Sequence, residues 1–180
     1  IRSFWYNLDK YVKGAIETRG DSPEPLRIND EKSLMVFVDE DTSTDNFLSI
    51  LIPSGRRLWY FQPDLEQDSY KDVNGKKKTT ENITYWTQSS VTRRFEEVRT
   101  YGGKLTENIV QALARDVLVH SMKALDKAGY RIVMTVHDEV VIEGKDLDLQ
   151  DIERIMATPP AWCADLPLTV DGFKSGRFKK

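Results

Sequence analysis

Phe4, Leu8, Tyr11, Val12, Ala15 and Ile16 recur at helical spacing and predict a helix from Ser3 to about Thr18. Gly20, Asp21, Ser22 and Pro23 end it, and Pro25 keeps the following stretch extended. Ser33 to Val38 reads as a strand and Asp39 to Asn46 as a polar connection. Phe47 to Ile52 and Arg57 to Phe61 are two more strands, joined by Pro53-Ser54-Gly55-Arg56, where Pro and Gly supply the turn geometry. From Gln62 to about Asn82 the pattern turns polar, with the turn dipeptide Asn74-Gly75 inside it, and Ile83 to Trp86 is a short strand. Arg93 to Tyr101 fits neither period. Gly102-Gly103 then opens the longest helix, Lys104 to Ala128, which Gly129 stops. Tyr130 to Val136 is rich in β-branched residues and reads as a strand, with Val140 to Glu143 as its partner. Leu149 to Met156 is a short helix broken by Pro159-Pro160, and Leu166 to Val170 a last strand. No internal repeat or low-complexity tract interrupts the chain.

Composition narrows this picture. A chain of 180 residues, 39% hydrophobic and 31% charged, can bury one sizeable core and reads as soluble and globular. No apolar run approaches the roughly 20 residues of a membrane span, and no leader sequence opens the chain. It begins at Ile1 rather than Met, so it is expected to be cut from something longer. The single cysteine, Cys163, excludes an internal disulfide and suits a reducing compartment. A net charge of -3 argues against a duplex binder in bulk. The distribution is uneven, however. Lys76-Lys77-Lys78, Arg93-Arg94, Arg99 and Lys104 fall close together, whereas much of the acid lies in Asp39-Glu40-Asp41 and from Asp146 to Glu153. One basic face and scattered solvated charge both fit.

Three groups of residues could carry chemistry. The first is His137-Asp138-Glu139, where two apolar strands converge on consecutive ionisable residues. A carboxylate held at the end of a sheet suits a hard cation such as Mg²⁺, which takes oxygen ligands. The tip also lacks the glycine that tight turns prefer. It reads either as a metal half-site or as a solvated polar turn. The second is a stripe on the long helix, Lys104, Asn108, Gln111 and Arg115, spaced by four, three and four residues. All four donate hydrogen bonds and none is acidic, which suits phosphate oxygens and groove-edge acceptors, and equally suits solvent. Beyond Arg115 the far half of this helix, with His120, reads as buried all round. The third is Arg93-Arg94 among Tyr85, Trp86 and Phe95, a mixture that can grip nucleic acid but that also occurs in cores. A Walker-type phosphate loop, zinc spacing and a cysteine–histidine nucleophile pair find no support.

Taken together, Thr100 to Asp116 and Ala128 to Glu143, with Val136-His137-Asp138-Glu139-Val140 at the turn, closely resemble the family A DNA polymerases, nearest their phage and prophage branch. Leu51 to Tyr60 and Leu166 to Phe173 share the likeness, which covers essentially the whole chain. The resemblance implies that Asp138 is a catalytic Mg²⁺ ligand, Glu139 an accessory carboxylate, His137 a contact to the primer terminus, and Gln111 a minor-groove contact. The asparagine often found four residues before that glutamine is Glu107 here, with Asn108 beside it, and the arginine further upstream falls near Gly103, beside Lys104. Roles for Lys104, Asn108 and Arg115 therefore rest on the stripe alone.

The expectation is an α+β fold: an antiparallel palm sheet backed by helices, with an inserted β-hairpin in the N-terminal half and the acidic tip beside the start of the long helix. Residues 1–100 are expected to connect fingers to palm, and residues 101–180 to form the palm core with its catalytic hairpin. The implied parent activity is template-directed nucleotidyl transfer to a primer 3′-hydroxyl, with two Mg²⁺ ions, primer-template DNA and deoxynucleoside triphosphates, in the cytoplasm of a bacterial or phage-infected cell. No stretch of this sequence matches the family's second metal-binding aspartate, its nucleotide-binding fingers helix or an exonuclease segment, and the chain is expected to start just after the fingers helix. The chain by itself is thus expected to be inactive, and an unpaired sheet edge is expected to favour self-association. A nucleic-acid-binding module without chemistry, an unrelated metal-dependent hydrolase using Asp138 and Glu139, and a folded remnant with neither activity are the competing readings.

Overall fold

The computed structural model describes residues 2–19, 26–27, 33–40, 46–71 and 73–178. Its first helix, α1 (Arg2–Thr18), buries Leu8, Val12, Ala15 and Ile16 along one stripe, as the periodicity predicts. Five strands follow as an antiparallel meander: β2 (Ser33–Glu40), β3 (Asn46–Leu51), β4 (Arg57–Lys71), β5 (Lys77–Gln88) and β6 (Phe95–Thr100). A two-residue strand, β1 (Leu26–Arg27), pairs with the start of β2. β2 runs on through Asp39 and Glu40, which had read as connection. The breaks expected at residues 20–25 and 41–45 lie outside the described residues.

The β3–β4 hairpin forms as its turn residues predict, with Gly55 at φ +84 and its N–H bonded to the Ile52 carbonyl at 2.9 Å. The polar stretch after it does not behave as a connection. β4 and β5 pair from Phe61 and Trp86 out to Lys71 and Lys77, making a long hairpin that turns at Asn74-Gly75 with Gly75 at φ +76. Its outer half lies largely exposed, so no apolar alternation marks it as strand. One extra residue on β4 between Phe61 and Asp64 makes a bulge. Gln62 takes φ +44 there and Pro63, which has no N–H to give, sits within it. Arg93 to Tyr101, unassigned by period, holds β6.

The chain divides into two compact units, residues 1–110 and 111–180, with the boundary inside the long helix α2 (Gly102–Lys127). In the first unit, α1 packs on the sheet against β2 and β4. The core is formed by the α1 stripe with Val38, Leu48, Ile50, Tyr60 and Ile83 from the strands and Leu105 and Ile109 from α2. In the second unit, α2 ends in a Schellman motif: Tyr130 N–H reaches the Leu125 carbonyl at 3.0 Å and Gly129 N–H, at φ +88, the Asp126 carbonyl at 2.9 Å. Strands β7 (Ile132–Val136) and β8 (Glu139–Ile142) then pair as a two-stranded sheet. Helix α3 (Leu149–Met156) is capped by Asp148, whose carboxylate accepts from Gln150 N and Asp151 N. Leu166 to Val170 is not a strand; its alternation finds no ladder among the described residues, and Pro167 has no N–H to pair. The far half of α2 is buried on one side only, through Leu118, Ser121 and Leu125, while Lys123, Asp126 and Lys127 are exposed.

Candidate functional site

The β7–β8 hairpin closes on two residues. Val136 pairs with Glu139, leaving His137 and Asp138 as the loop. Such short loops favour positive φ because it matches the twist of the flanking strands. His137, not Asp138, supplies it, at φ +54. A residue with a Cβ pays about 1 kcal/mol or more for that conformation. His137, Asp138 and Glu139 are all exposed. One extra residue between Ile132 and Met134 bulges β7, and both Val133 and Met134 face outward. Bulges re-aim strands and gather near functional sites.

The carboxylates of Asp138 and Glu139 are oxygen donors of the kind a hard cation takes, and Mg²⁺ keeps several waters when it binds one or two of them. The donor set therefore fits part of a Mg²⁺ site. It is not a whole one: among the described residues no three of His, Cys, Asp or Glu gather as a group able to hold a metal ion.

The helix stripe is placed in part. Lys104, Gln111 and Arg115 are exposed. Lys104 Nζ donates to Glu107 Oε2 at 2.9 Å, a bond that raises the lysine pKa above its ordinary value. Asn108 is drawn into the first unit, where its amide donates to the Tyr60 hydroxyl at 3.2 Å. Burial raises the Tyr60 pKa, and the Asn108 bond only partly opposes it. Asn108 thus ties α2 to β4 while remaining half-buried. Lys104 and Asn108 belong to the first unit; Gln111, Arg115 and the hairpin belong to the second.

The paired glycines at the start of α2 act as their sequence implies. The Gly102 N–H donates to Asp9 Oδ1 at 2.8 Å, so a carboxylate from α1 covers the positive end of α2. A Cβ on Gly102 would lie 2.0 Å from the Trp5 carbonyl oxygen. Asp9 also pairs with Lys13 at 2.7 Å. The role of Asp9 was not visible in the sequence, because its partner lies far along the chain. Near Arg93-Arg94, Tyr85 packs edge-on against Tyr60 at 5.0 Å, whereas Trp86 and Phe95 are exposed.

The protein is α+β, with a carboxylate-tipped hairpin in its second unit and exposed donors along α2. Comparison with known proteins gives it a context. The chain is 39% identical over 183 aligned positions to a DNA polymerase of Bacillus phage SP02, and the match takes in all of this chain, the hairpin included. It spans 25% of that polymerase's length. No protein-family model matches the chain, and neither does any solved structure. Among the described residues no helix is long and apolar enough to cross a membrane.

Proposed function

We propose that this chain is part of a DNA-directed DNA polymerase of family A, in which the β7–β8 tip supplies one side of a two-ion nucleotidyl-transfer site. The observation that carries the reading is the similarity to a phage DNA polymerase along the entire chain. The strained, glycine-free tip His137-Asp138-Glu139 agrees with it. So do the exposed Val133 and Met134 on a sheet of only two described strands, since a lone hairpin is marginal and gains from neighbours.

In this reading Asp138 is a Mg²⁺ ligand, Glu139 a supporting carboxylate and His137 a contact to the primer terminus. Gln111 lies along the minor groove, while Lys104 and Arg115 meet phosphates. When bound, Mg²⁺ would lower the pKa of the attacking hydroxyl and neutralise charge on the phosphates. This reading needs a second carboxylate from outside the hairpin, and because no three of His, Cys, Asp or Glu gather as a metal-holding group among the described residues, the 180-residue chain alone is expected to be inactive. The test is a chimera in which this chain replaces the matching quarter of the SP02 polymerase. Mg²⁺-dependent extension of a primer on a DNA template is expected. Asp138→Ala should lower it by about a thousandfold, since a metal supplies several kcal/mol of charge stabilisation. Undiminished extension by the Asp138→Ala chimera refutes the assignment.

A further inference from the structure

The outer face of the main sheet carries side chains used neither by the core nor by the hairpin. Alternation along the paired strands puts Phe37, Phe47, Trp59, Phe61, Trp86 and Phe95 on it. The rings form a continuous band: Phe47 meets Trp59 edge-on at 6.0 Å and Phe61 at 5.2 Å, Phe61 meets Phe95 at 6.0 Å, and Phe95 meets Trp86 at 5.8 Å. The Arg57 guanidinium lies 4.2 Å over the Phe37 ring and 5.8 Å from that of Trp59. Burial does not explain the band, because Trp59 is 55% exposed, Phe95 58% and Trp86 38%. Large rings left open together on one face mark an interaction surface.

The charge beside the rings selects the partner. β3 and β5 run in the same direction, so the turns that follow them, at 52–56 and 89–94, lie at the same end of the sheet. Residues 52–61 and 86–95, which hold those turns and the rings next to them, contain Arg56, Arg57, Arg93 and Arg94 and no aspartate or glutamate. Glu96 is bonded to Thr92 at 3.0 Å, while Glu97, exposed and paired with Trp86, adds a carboxylate beside the rings against the four arginines. An apolar protein partner would have to desolvate these guanidinium groups. A single-stranded nucleic acid matches both halves of the surface, since its bases stack on aromatic and guanidinium planes and its phosphates pair with arginine. A duplex keeps its bases stacked on one another and presents phosphates alone.

We propose that this outer sheet face binds single-stranded nucleic acid, its bases on Trp59, Trp86 and Phe95 and its backbone on Arg93, Arg94 and Arg56. The proposal stands on the ring band and the arginines and does not depend on the polymerase reading. It is tested by anisotropy of labelled oligo(dT) and oligo(U) with the 180-residue chain, in chelator so that no metal site contributes. The expected result is salt-sensitive binding of the single strands, weakened about tenfold or more by Trp59→Ala with Phe95→Ala. Because those rings touch neighbours, circular dichroism checks the fold. Arg93→Gln with Arg94→Gln, in an exposed turn, is the second test and should also reduce the salt dependence. Unchanged affinity in either folded double variant overturns the proposal, as does preference for a blunt duplex. So does a chain that binds no oligonucleotide but loses self-association in Trp59→Ala with Phe95→Ala, an outcome that makes the face a protein contact.

Discussion

Two helical glycines should respond to alanine with opposite signs. In a free helix, glycine to alanine stabilises by about 0.5–1 kcal/mol, because alanine loses less backbone entropy. Gly14 in α1 has nothing within 4 Å of an added Cβ, so Gly14→Ala should gain that amount. Gly102 differs in its surroundings. Its Cβ would sit 2.0 Å from the Trp5 carbonyl oxygen, 2.8 Å from Asp9 Cβ and 3.0 Å from Asp9 N. Two of those atoms are backbone and cannot rotate away, so α1 must withdraw by about an ångström. That withdrawal breaks the 2.8 Å bond from Gly102 N–H to the Asp9 carboxylate. A bond to a charged group contributes about 1.5–3 kcal/mol, and overpacking adds about 1–3 kcal/mol. The helix-propensity gain is smaller than either. Gly102→Ala should therefore destabilise the chain by about 2–4 kcal/mol and lower its melting temperature by several degrees. Urea titrations followed by far-ultraviolet circular dichroism measure both variants. A Gly102→Ala protein as stable as the parent would refute the close approach, and with it the account of how α2 is oriented where Lys104 begins the donor stripe.

Other outcomes follow from the same geometry. Tyr60 and Tyr85 both have pKa values raised by burial, so their neutral forms are favoured in the fold. The stability this confers is complete below about pH 10, the unfolded value, and is lost as pH rises from there through the folded values. Tyr60→Phe should flatten part of that alkaline decline in urea midpoints, and an unchanged slope would contradict it. His137→Gly should leave the β7–β8 amides as protected from hydrogen exchange as in the parent, within about 1 kcal/mol, because relief of the φ +54 strain offsets glycine's entropy. The same variant should impair primer extension by the SP02 chimera, and full activity would show that the histidine side chain is not used.

In the proposed function, the hairpin site would need rigid strands to present it and a further carboxylate beside its own. Both conditions place demands on whatever flanks β7 and β8. The main sheet makes no such demand. Its core is closed by α1 on one side, and its other side carries rings, arginines and Glu97. These two surfaces belong to different compact units, so each can be tested by variants that leave the other intact.

Elements written in local signals were legible from the sequence. The stripe of α1, the Gly55 turn, the Gly129 stop of α2, the β7–β8 pair and α3 each depend on residues a few positions apart, and each forms close to its expected place. His137-Asp138-Glu139 could be singled out as a candidate site for the same reason, since three adjacent residues need no fold to bring them together. Tertiary structure decided the rest. The arm of β4 and β5 extends through polar residues because backbone pairing, not burial, holds it. Leu166 to Val170 alternates like a strand but stays outside any described ladder. Asn108 gives an amide N–H to Tyr60, forty-eight residues away in sequence, a partner that no local pattern announces. The aromatic face exists only because the meander aligns five strands in register, so that rings scattered from Phe37 to Phe95 meet on one side. Local patterns settle where a chain turns and coils; which side chains share a surface depends on pairings that only the folded sheet creates.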